Sequence, residues 1–391
     1  MTAPTTDAVL AALEGVIDPD LGQNIVALGF ITRCEVTPEG AVSVVINLTT
    51  PACPVKDEMR EQARGLIAAL DGVTSVDVEM TAEVRRPDGP AREAAKDVKQ
   101  IVAVSSGKGG VGKSTTAVNL ACALAKTGAR VGLLDCDVHG PDVPMMMGLN
   151  GSPEQREIEG KQTLIPKVGP GGVKTMSIGY LIPDDQPVIW RGPMVHSFIR
   201  QMLTDVLWGE LDYLLVDMPP GTGDAQLSLA QEVPLAGAVL VTTPQAVSAF
   251  DVTKAISMFH KVEVPILGIV ENMAGVALEG RAAGAPEGST VELSLGGETQ
   301  TVPVGADGCF DAVFDVFGSG GADRLAQTHG FPVIGRIPVD PAVRAGGDGG
   351  EPIVTVEANA DGAAARAFGE AAGRLAQRLA VKAFSALPIL D

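Results

Sequence analysis

Three groups of residues in this sequence have the types and spacing to do chemistry. The first is Gly107-Lys108-Gly109-Gly110-Val111-Gly112-Lys113-Ser114, a complete G-x-x-x-x-G-K-[ST] run. Its glycines let the backbone wrap a phosphate with N–H groups pointing inward, its final lysine neutralises the β and γ phosphates, and its hydroxyl can ligate Mg²⁺. The expected ligands are therefore ATP and Mg²⁺, held by Gly107, Lys108, Gly109, Gly110, Val111, Gly112, Lys113, Ser114 and Thr115. The second group is acidic. Asp135 and Asp137 follow the apolar Leu133-Leu134, and Asp217 follows Leu214-Leu215-Val216. All three stand at the carboxyl end of a predicted strand, where open α/β sheets bind ligands. Asp217 is placed to hold Mg²⁺ through water, and the Pro219-Pro220-Gly221 turn behind it reads as a switch loop able to sense the γ-phosphate. The third group is five scattered cysteines, Cys34, Cys53, Cys122, Cys136 and Cys309. Cys53 opens a predicted helix, whose N-terminal field lowers a thiol pKa and favours the metal-binding thiolate. Cys34, Cys122 and Cys136 lie in or beside predicted core elements. His139, His196, His260 and His329 do not cluster with cysteines, and none is assigned as a ligand.

These residues need a frame. The β-branched run Ile101–Val104 leads into the Gly-rich turn, a helix is predicted around Lys113–Lys126, and Val131–Leu134 is the next strand. Further strands are expected at Val173–Ile178, Leu211–Val216, Ala238–Thr242, Ile266–Val270 and Val333–Ile337, with helical stretches between several of them. Such alternation predicts an α/β fold of the P-loop NTPase type, a mainly parallel sheet flanked by helices. Ahead of it, a helix over Thr6–Ile17, a hairpin from Ile31–Val36 and Val42–Leu48, a helix over Val55–Leu70 and a strand through Val76–Met80 make a small α+β domain. The expected boundaries are 1–82 for that domain, 83–98 for a charged, Pro-containing linker, and 99–385 for the ATPase domain. Residues 274–317 carry Gly and short β-like pieces without a helical period and read as an insertion, a hairpin or a lid. Ala360–Ala383 is expected to form a closing helix.

Composition narrows the function. Hydrophobic residues make up 46% of the 391, so a core is affordable, while 29 Lys and Arg against 48 Asp and Glu leave a formal charge of −19. That charge repels nucleic acid and anionic lipid, so neither is an expected partner. No apolar run approaches the ~20 residues of a spanning helix, and MTAPTTDAV has neither the basic start nor the apolar stretch of a signal peptide. A cytoplasmic protein with reduced thiols is the expectation.

The segment K-G-G-V-G-K-S-T from Lys108 resembles the deviant phosphate loop of the ParA/MinD/Mrp ATPases. Together with D-x-D-x-x-G-P from Asp135, D-x-P-P-G-T-x-D from Asp217 and Ile269-Val270-Glu271-Asn272-Met273, it resembles the Mrp/NBP-type iron–sulfur cluster carriers over roughly residues 98–385. The resemblance implies a homodimer in which Lys108 reaches the partner's phosphates. It implies Asp137 as the residue that orients or deprotonates the attacking water, so that Lys108, Lys113 and Asp137 are catalytic, with Asp135 supporting the metal shell around Ser114 and Asp217. It also implies Asn272 as the adenine-recognising residue, beside the loop Ile337-Pro338-Val339-Asp340. The N-terminal module resembles the SufT-like domain of iron–sulfur maturation factors through Asp18-Pro19-Asp20-Leu21-Gly22 and Leu48-Thr49-Thr50-Pro51-Ala52-Cys53-Pro54.

The implied activity is ATP-dependent transfer of iron–sulfur clusters to apoproteins, with client proteins and assembly factors as partners. One feature departs from the family. Mrp carriers commonly place C-x-x-C shortly after the E-N-M segment, and here the next cysteine is Cys309, alone. Cys53 and Cys309 are thus the candidate cluster thiols. Two alternatives stay open: a positioning ATPase of the ParA/MinD kind, and an ATP-switched assembly scaffold that no longer binds a cluster.

Overall fold

The structure, a computed structural model, describes residues 3–86, 95–138, 140–158, 160–181, 192–221 and 223–385. Half of the expected linker, residues 87–94, His139 and the chain end beyond Ser385 lie outside these, and the side chain of His196 is likewise not described. Contacts divide the chain into two units: Met1–Gly89 with Thr127–Ala129 and Gly373–Asp391, and Pro90–Lys126 with Arg130–Ala372.

In the first unit, Thr5 caps helix α1 (Thr6–Leu13) by accepting a hydrogen bond from the Ala8 N–H at 3.2 Å. The helix ends at Leu13, four residues short of the expected Ile17, which instead bridges to Asn24. Strands β1 (Ile31–Val36) and β2 (Ala41–Leu48) form an antiparallel hairpin. Helix α2 (Lys56–Ala68) then crosses over so that β3 (Ser75–Ala82) pairs parallel with β2. The inward faces meet in a core of Val9, Leu13, Val44, Ile46, Met59 and Ile67, and Phe384 from the end of the chain packs on it.

The second unit is built on a nine-stranded sheet. Its chain order is β4 (Val98–Ser106), α3 (Lys113–Lys126), β5 (Val131–Asp135), the short α4 (Val143–Met146), a hairpin of β6 (Glu154–Ile158) and β7 (Lys161–Ile165), β8 (Lys167–Val168), β9 (Lys174–Ser177) and α5 (Gly192–Thr204). There follow β10 (Leu211–Asp217), α6 (Asp224–Glu232), β11 (Gly237–Thr242), α7 (Ala246–Lys261) and β12 (Ile266–Arg281). After β13 (Thr290–Leu295), β14 (Glu298–Pro303) and β15 (Cys309–Phe314) come α8 (Gly321–His329), β16 (Val333–Val339), α9 (Pro341–Gly349) and α10 (Ala363–Ser385), whose residues from Gly373 on belong to the first unit. The central order β12-β11-β4-β10-β5-β9 is parallel throughout. Nearly every residue of β4, β5, β10 and β11 is buried, as a sheet covered on both faces requires. No described helix is long and apolar enough to cross a membrane.

The 274–317 stretch resolves into strand structure. β12 runs on past its parallel partners to Arg281, β15 returns antiparallel along residues 276–281, and β13 and β14 close into a separate hairpin. Val302, Ala312 and Phe314 give this arm its own small core. The arm is therefore an extension of the sheet, and helical periodicity is absent because every piece is strand.

The root of β10 is fixed by one carboxylate. Asp212 accepts from the Arg130 N–H at 2.9 Å, from Arg130 Nη2 at 3.1 Å and from Lys99 Nζ at 3.1 Å. Burial pushes this carboxyl up, but the Arg130 and Lys99 contacts outweigh it and hold the pKa below the ordinary value. A depressed carboxyl stabilises the fold above its unfolded pKa of about 4 and loses that contribution as pH falls through the folded value. Asp212→Asn should therefore cost about 1 kcal/mol at neutral pH, since Arg130 is half-exposed and screened. Urea titrations at several pH values should show the difference from wild type closing below about pH 4.

Candidate nucleotide site

Sheet register gathers the acids. Asp217 pairs across the ladder with Asp135 on one side and Val104 on the other, so two carboxylates end adjacent strands beside the point where β4 enters its loop. Both are fully buried. Beside them comes Lys113, the first residue of α3, which is 6% exposed. Its Nζ lies 2.6 Å from Asp217 Oδ1, 3.5 Å from Asp137 Oδ2 and 3.1 Å from Ser114 Oγ. Asp135 faces the other way: Oδ2 accepts from Ser177 Oγ at 2.8 Å and Oδ1 from the Asp137 N–H at 3.0 Å.

The electrostatics follow from this crowding. Burial first, then the Asp217 charge, pushes Asp135 up to about 8, favouring its neutral form. Asp217 is also raised by burial, although Lys113 pulls against that. For Lys113 burial acts downward, but Asp217 and then Asp137 and Asp135 outweigh it and keep the ammonium charged.

Glycines shape the loop for two different reasons. Gly110 and Gly112 sit at φ +78° and +79°, the left-handed region that an L side chain resists. Gly107 has ordinary backbone angles but touches α7, where a Cβ would collide with the Asp251 carbonyl. Asn272, at the carboxyl end of the parallel part of β12, donates from Nδ2 to the Val111 carbonyl at 2.9 Å and fills the space a Cβ on Gly112 would need. The structure thus ties this residue, expected to read adenine, to the phosphate loop. Lys108 is half-buried and makes no ion pair among the described residues. The loop Ile337–Asp340 closes β16, and Asp340 caps α9.

Cys136, fully buried between Asp135 and Asp137, borders this cluster, its N–H donating to the Asp217 carbonyl at 2.9 Å and its thiol pushed up by burial, whereas Cys53 and Cys309 make no contact with it among the described residues. All five are free. Cys53 lies in the first unit beside Asp18, Asp20, Thr50 and Gln377, and its pKa is raised, not lowered. Burial and the two carboxylates there overcome the Val55 backbone hydrogen bond and Lys56, which corrects the expected thiolate. Cys309 is exposed at the start of β15, in the second unit, with Asp307 pushing its thiol up. Among the described residues no three His, Cys, Asp or Glu side chains gather into a group that could hold a metal ion.

Several site residues escaped the sequence reading. Ser177, Ser106 and Gln226 all contact the cluster or the turn after Asp217. For the two serines a signal existed, since each is a polar residue ending an apolar strand, as Asp135 and Asp217 are.

Residues 97–283 match the family described as NUBPL iron-transfer P-loop NTPase, and residues 6–79 the one described as iron-sulfur cluster assembly protein. The iron-sulfur cluster carrier protein of Synechocystis is 43% identical over 380 residues, 97% of this chain and 99% of that one. Its counterpart in Deinococcus radiodurans is 42% identical over 98% of each. Among solved structures, the nucleotide-binding protein in complex with ADP from Archaeoglobus fulgidus aligns at 35% identity and TM-score 0.49, covering 66% of this chain and 92% of that chain.

Removing the lysine leaves its acids unpaired in the interior. Lys113→Ala should lower stability by about 3–5 kcal/mol, the scale for breaking a buried ion pair. Adding Asp217→Asn should restore most of that loss, a coupling that a double-mutant cycle by denaturant unfolding reads directly. Additive losses would show that Lys113 is not balancing Asp217.

Proposed function

This chain belongs to the iron-sulfur cluster carrier protein family, and from that premise we propose an ATP-dependent carrier that takes iron–sulfur clusters as cargo and passes them to apoproteins. The reading includes hydrolysis of ATP in a cytoplasmic homodimer. The observation that carries it is Lys113, buried at the head of α3 between Asp217 and Asp137 and beside a loop of left-handed glycines. That arrangement sits inside a chain similar to named carriers along nearly its whole length.

Each residue has a part in this reading. The backbone from Gly107 to Thr115 cradles the phosphates at the N-terminus of α3. Lys113 exchanges a carboxylate for a phosphate oxygen, a swap of one anionic partner for another that leaves its charge paired. Lys108 is free to reach a partner subunit's nucleotide, and a cation supplied in trans is worth about 10³–10⁵ in rate in analogous enzymes. Asp137, within 3.5 Å of Lys113, is the candidate to orient or deprotonate the attacking water. Asn272 fixes the loop at Val111 and from there borders the base.

The residues present fit Mg²⁺. Asp217 Oδ2 is buried with no hydrogen-bond partner among the described residues, and Ser114 Oγ lies beside Lys113. One or two protein oxygens completed by phosphate and water are what Mg²⁺ ordinarily takes, so Ser114 and Asp217 would hold it. Asp135, with both oxygens already bonded, supports this pair from behind. When bound, the ion would neutralise phosphate charge.

For the cargo, Cys53 and Cys309 remain the candidate thiols, and the clients and assembly factors are the expected partners. A second reading, an ATP-switched scaffold, is favoured by one observation: no metal-holding group of side chains forms among the described residues.

Two experiments test the proposal. Asp137→Ala should bind ATP normally and lose turnover by about 10²–10⁴, the scale of a general base, whereas Lys113→Ala/Asp217→Asn should fold and fail to bind. Normal hydrolysis by Asp137→Ala would remove it from the mechanism. Anaerobic reconstitution should load iron and sulfide on wild type and less on Cys53→Ala or Cys309→Ala; equal loading in both variants would clear these thiols.

A further inference from the structure

The turn that follows Asp217 is fastened at three points to the end of β4, the strand that enters the phosphate loop. The Met218 N–H donates to the Val104 carbonyl at 3.0 Å, and the Gly221 N–H to the Ser106 carbonyl at 3.2 Å. Ser106 in turn donates from Oγ to the Lys108 carbonyl at 2.9 Å, so the same residue touches both the turn and the loop. The third point is a side chain from another element. Gln226, in the first turn of α6, donates from Nε2 to the Pro219 carbonyl and to Ser105 Oγ at 3.2 Å.

Gln226 is 1% exposed, and its position is chemically unusual. The Pro219 carbonyl can only accept, which fixes the amide nitrogen toward it and the oxygen away. That oxygen, Oε1, is buried with no partner among the described residues. A buried acceptor without a donor is costly, and an apolar residue of equal size would avoid the cost. A glutamine here makes sense if the turn has a second position in which its bonding changes. Pro219 and Pro220 fix φ at two consecutive residues, so the turn moves as a unit and Gly221, at φ +94°, is its pivot. A phosphate that competes for the Gly221 N–H draws the turn away from Ser106, and Gln226 pulls it back through Pro219.

We infer that Gln226 is a positioning residue that sets the balance between two positions of the Pro219–Gly221 turn, with Ser106 relaying that balance to Lys108. The inference rests on the nucleotide-site reading above. Its ligand contact is indirect: Gln226 acts on the turn, and the turn meets the phosphate. Loss of the Pro219 hydrogen bond should therefore change how differently the turn responds to a nucleoside triphosphate and a diphosphate, with only a small change in how tightly either binds.

The test is hydrogen–deuterium exchange of the peptide spanning 217–227 in the full chain, with ADP and with a non-hydrolysable ATP analogue, in wild type, Gln226→Leu and Gln226→Glu. Leu removes both polar ends at similar volume, and Glu keeps the size but loses the donor. Wild type should show exchange in this peptide differing between the two nucleotides by about tenfold, the worth of one such hydrogen bond. In either variant the difference should fall below about twofold, with analogue affinity within about threefold of wild type and kcat, not KM, carrying the loss. Ser105→Ala, which leaves the Pro219 bond in place, should keep the wild-type difference. A wild-type pattern in both Gln226 variants overturns the inference, as does exchange in wild type that ignores the nucleotide. Nucleotide-dependent exchange without any hydrolysis by wild type would overturn the ATPase reading and leave the role of Gln226 standing.

Discussion

The second unit is organised around one buried positive charge. An ammonium with almost no solvent contact requires anionic partners, and Lys113 finds them at 2.6 Å in Asp217 and 3.5 Å in Asp137. Those partners can be there only if β10 and β5 end in register, as the pairing of Asp217 with Asp135 secures. Asp135 then needs Ser177 from β9 to satisfy its second oxygen. Four successive pieces of the sheet, β4 with its loop, β10, β5 and β9, are thus set by the demands of a single side chain. The same demand makes the site chemically ready, because a lysine balanced by carboxylates is poised to trade one for a phosphate.

Around that charge the backbone carries the specificity of shape. Left-handed glycines at 110 and 112 turn the loop, Gly107 brings it against α7, and Asn272 bonds its Val111 carbonyl. The last two are contacts with two other parts of the chain, α7 and β12, so the loop is held from outside and is not free to follow the nucleotide. The turn after Asp217 is fastened differently, by two backbone hydrogen bonds and one amide side chain, whose Oε1 is buried without a partner among the described residues. A rigid cradle beside a turn with a second bonding option is the physical arrangement a nucleotide switch needs.

Much of this was legible in the sequence where the information is local. The loop motif, the strand before it and the helix after it depend on residues within about twenty positions of one another. So do the strand-end acids, because an apolar run closed by Asp marks a parallel strand meeting a ligand edge. What could not be read were partners far apart in the chain: Ser177 with Asp135, 42 residues away, and Gln226 with Ser105, 121 residues away. Cys53 shows the same limit. Its helix predicts a lowered thiol pKa, but burial first, and then Asp18 and Asp20, raise it, and Gln377 from the far end of the chain lines the same recess. The 274–317 arm resisted reading because β12, bulged between Asn272 and Val276, continues past the expected boundary.

The family and the site meet in a claim about coupling: nucleotide at Lys113 governs what happens to a cluster bound elsewhere on the protein. A direct measurement is the rate of cluster transfer from the anaerobically reconstituted chain to an apo iron–sulfur protein, followed by recovery of the recipient's activity, with no nucleotide, with Mg–ATP and with Mg–ADP. The account predicts that transfer depends on nucleotide and that Asp137→Ala, which binds but does not turn over, freezes the rate at the ATP-bound value. Transfer at one rate under every condition would contradict it, leaving the nucleotide site and the cargo as unconnected features of the same protein.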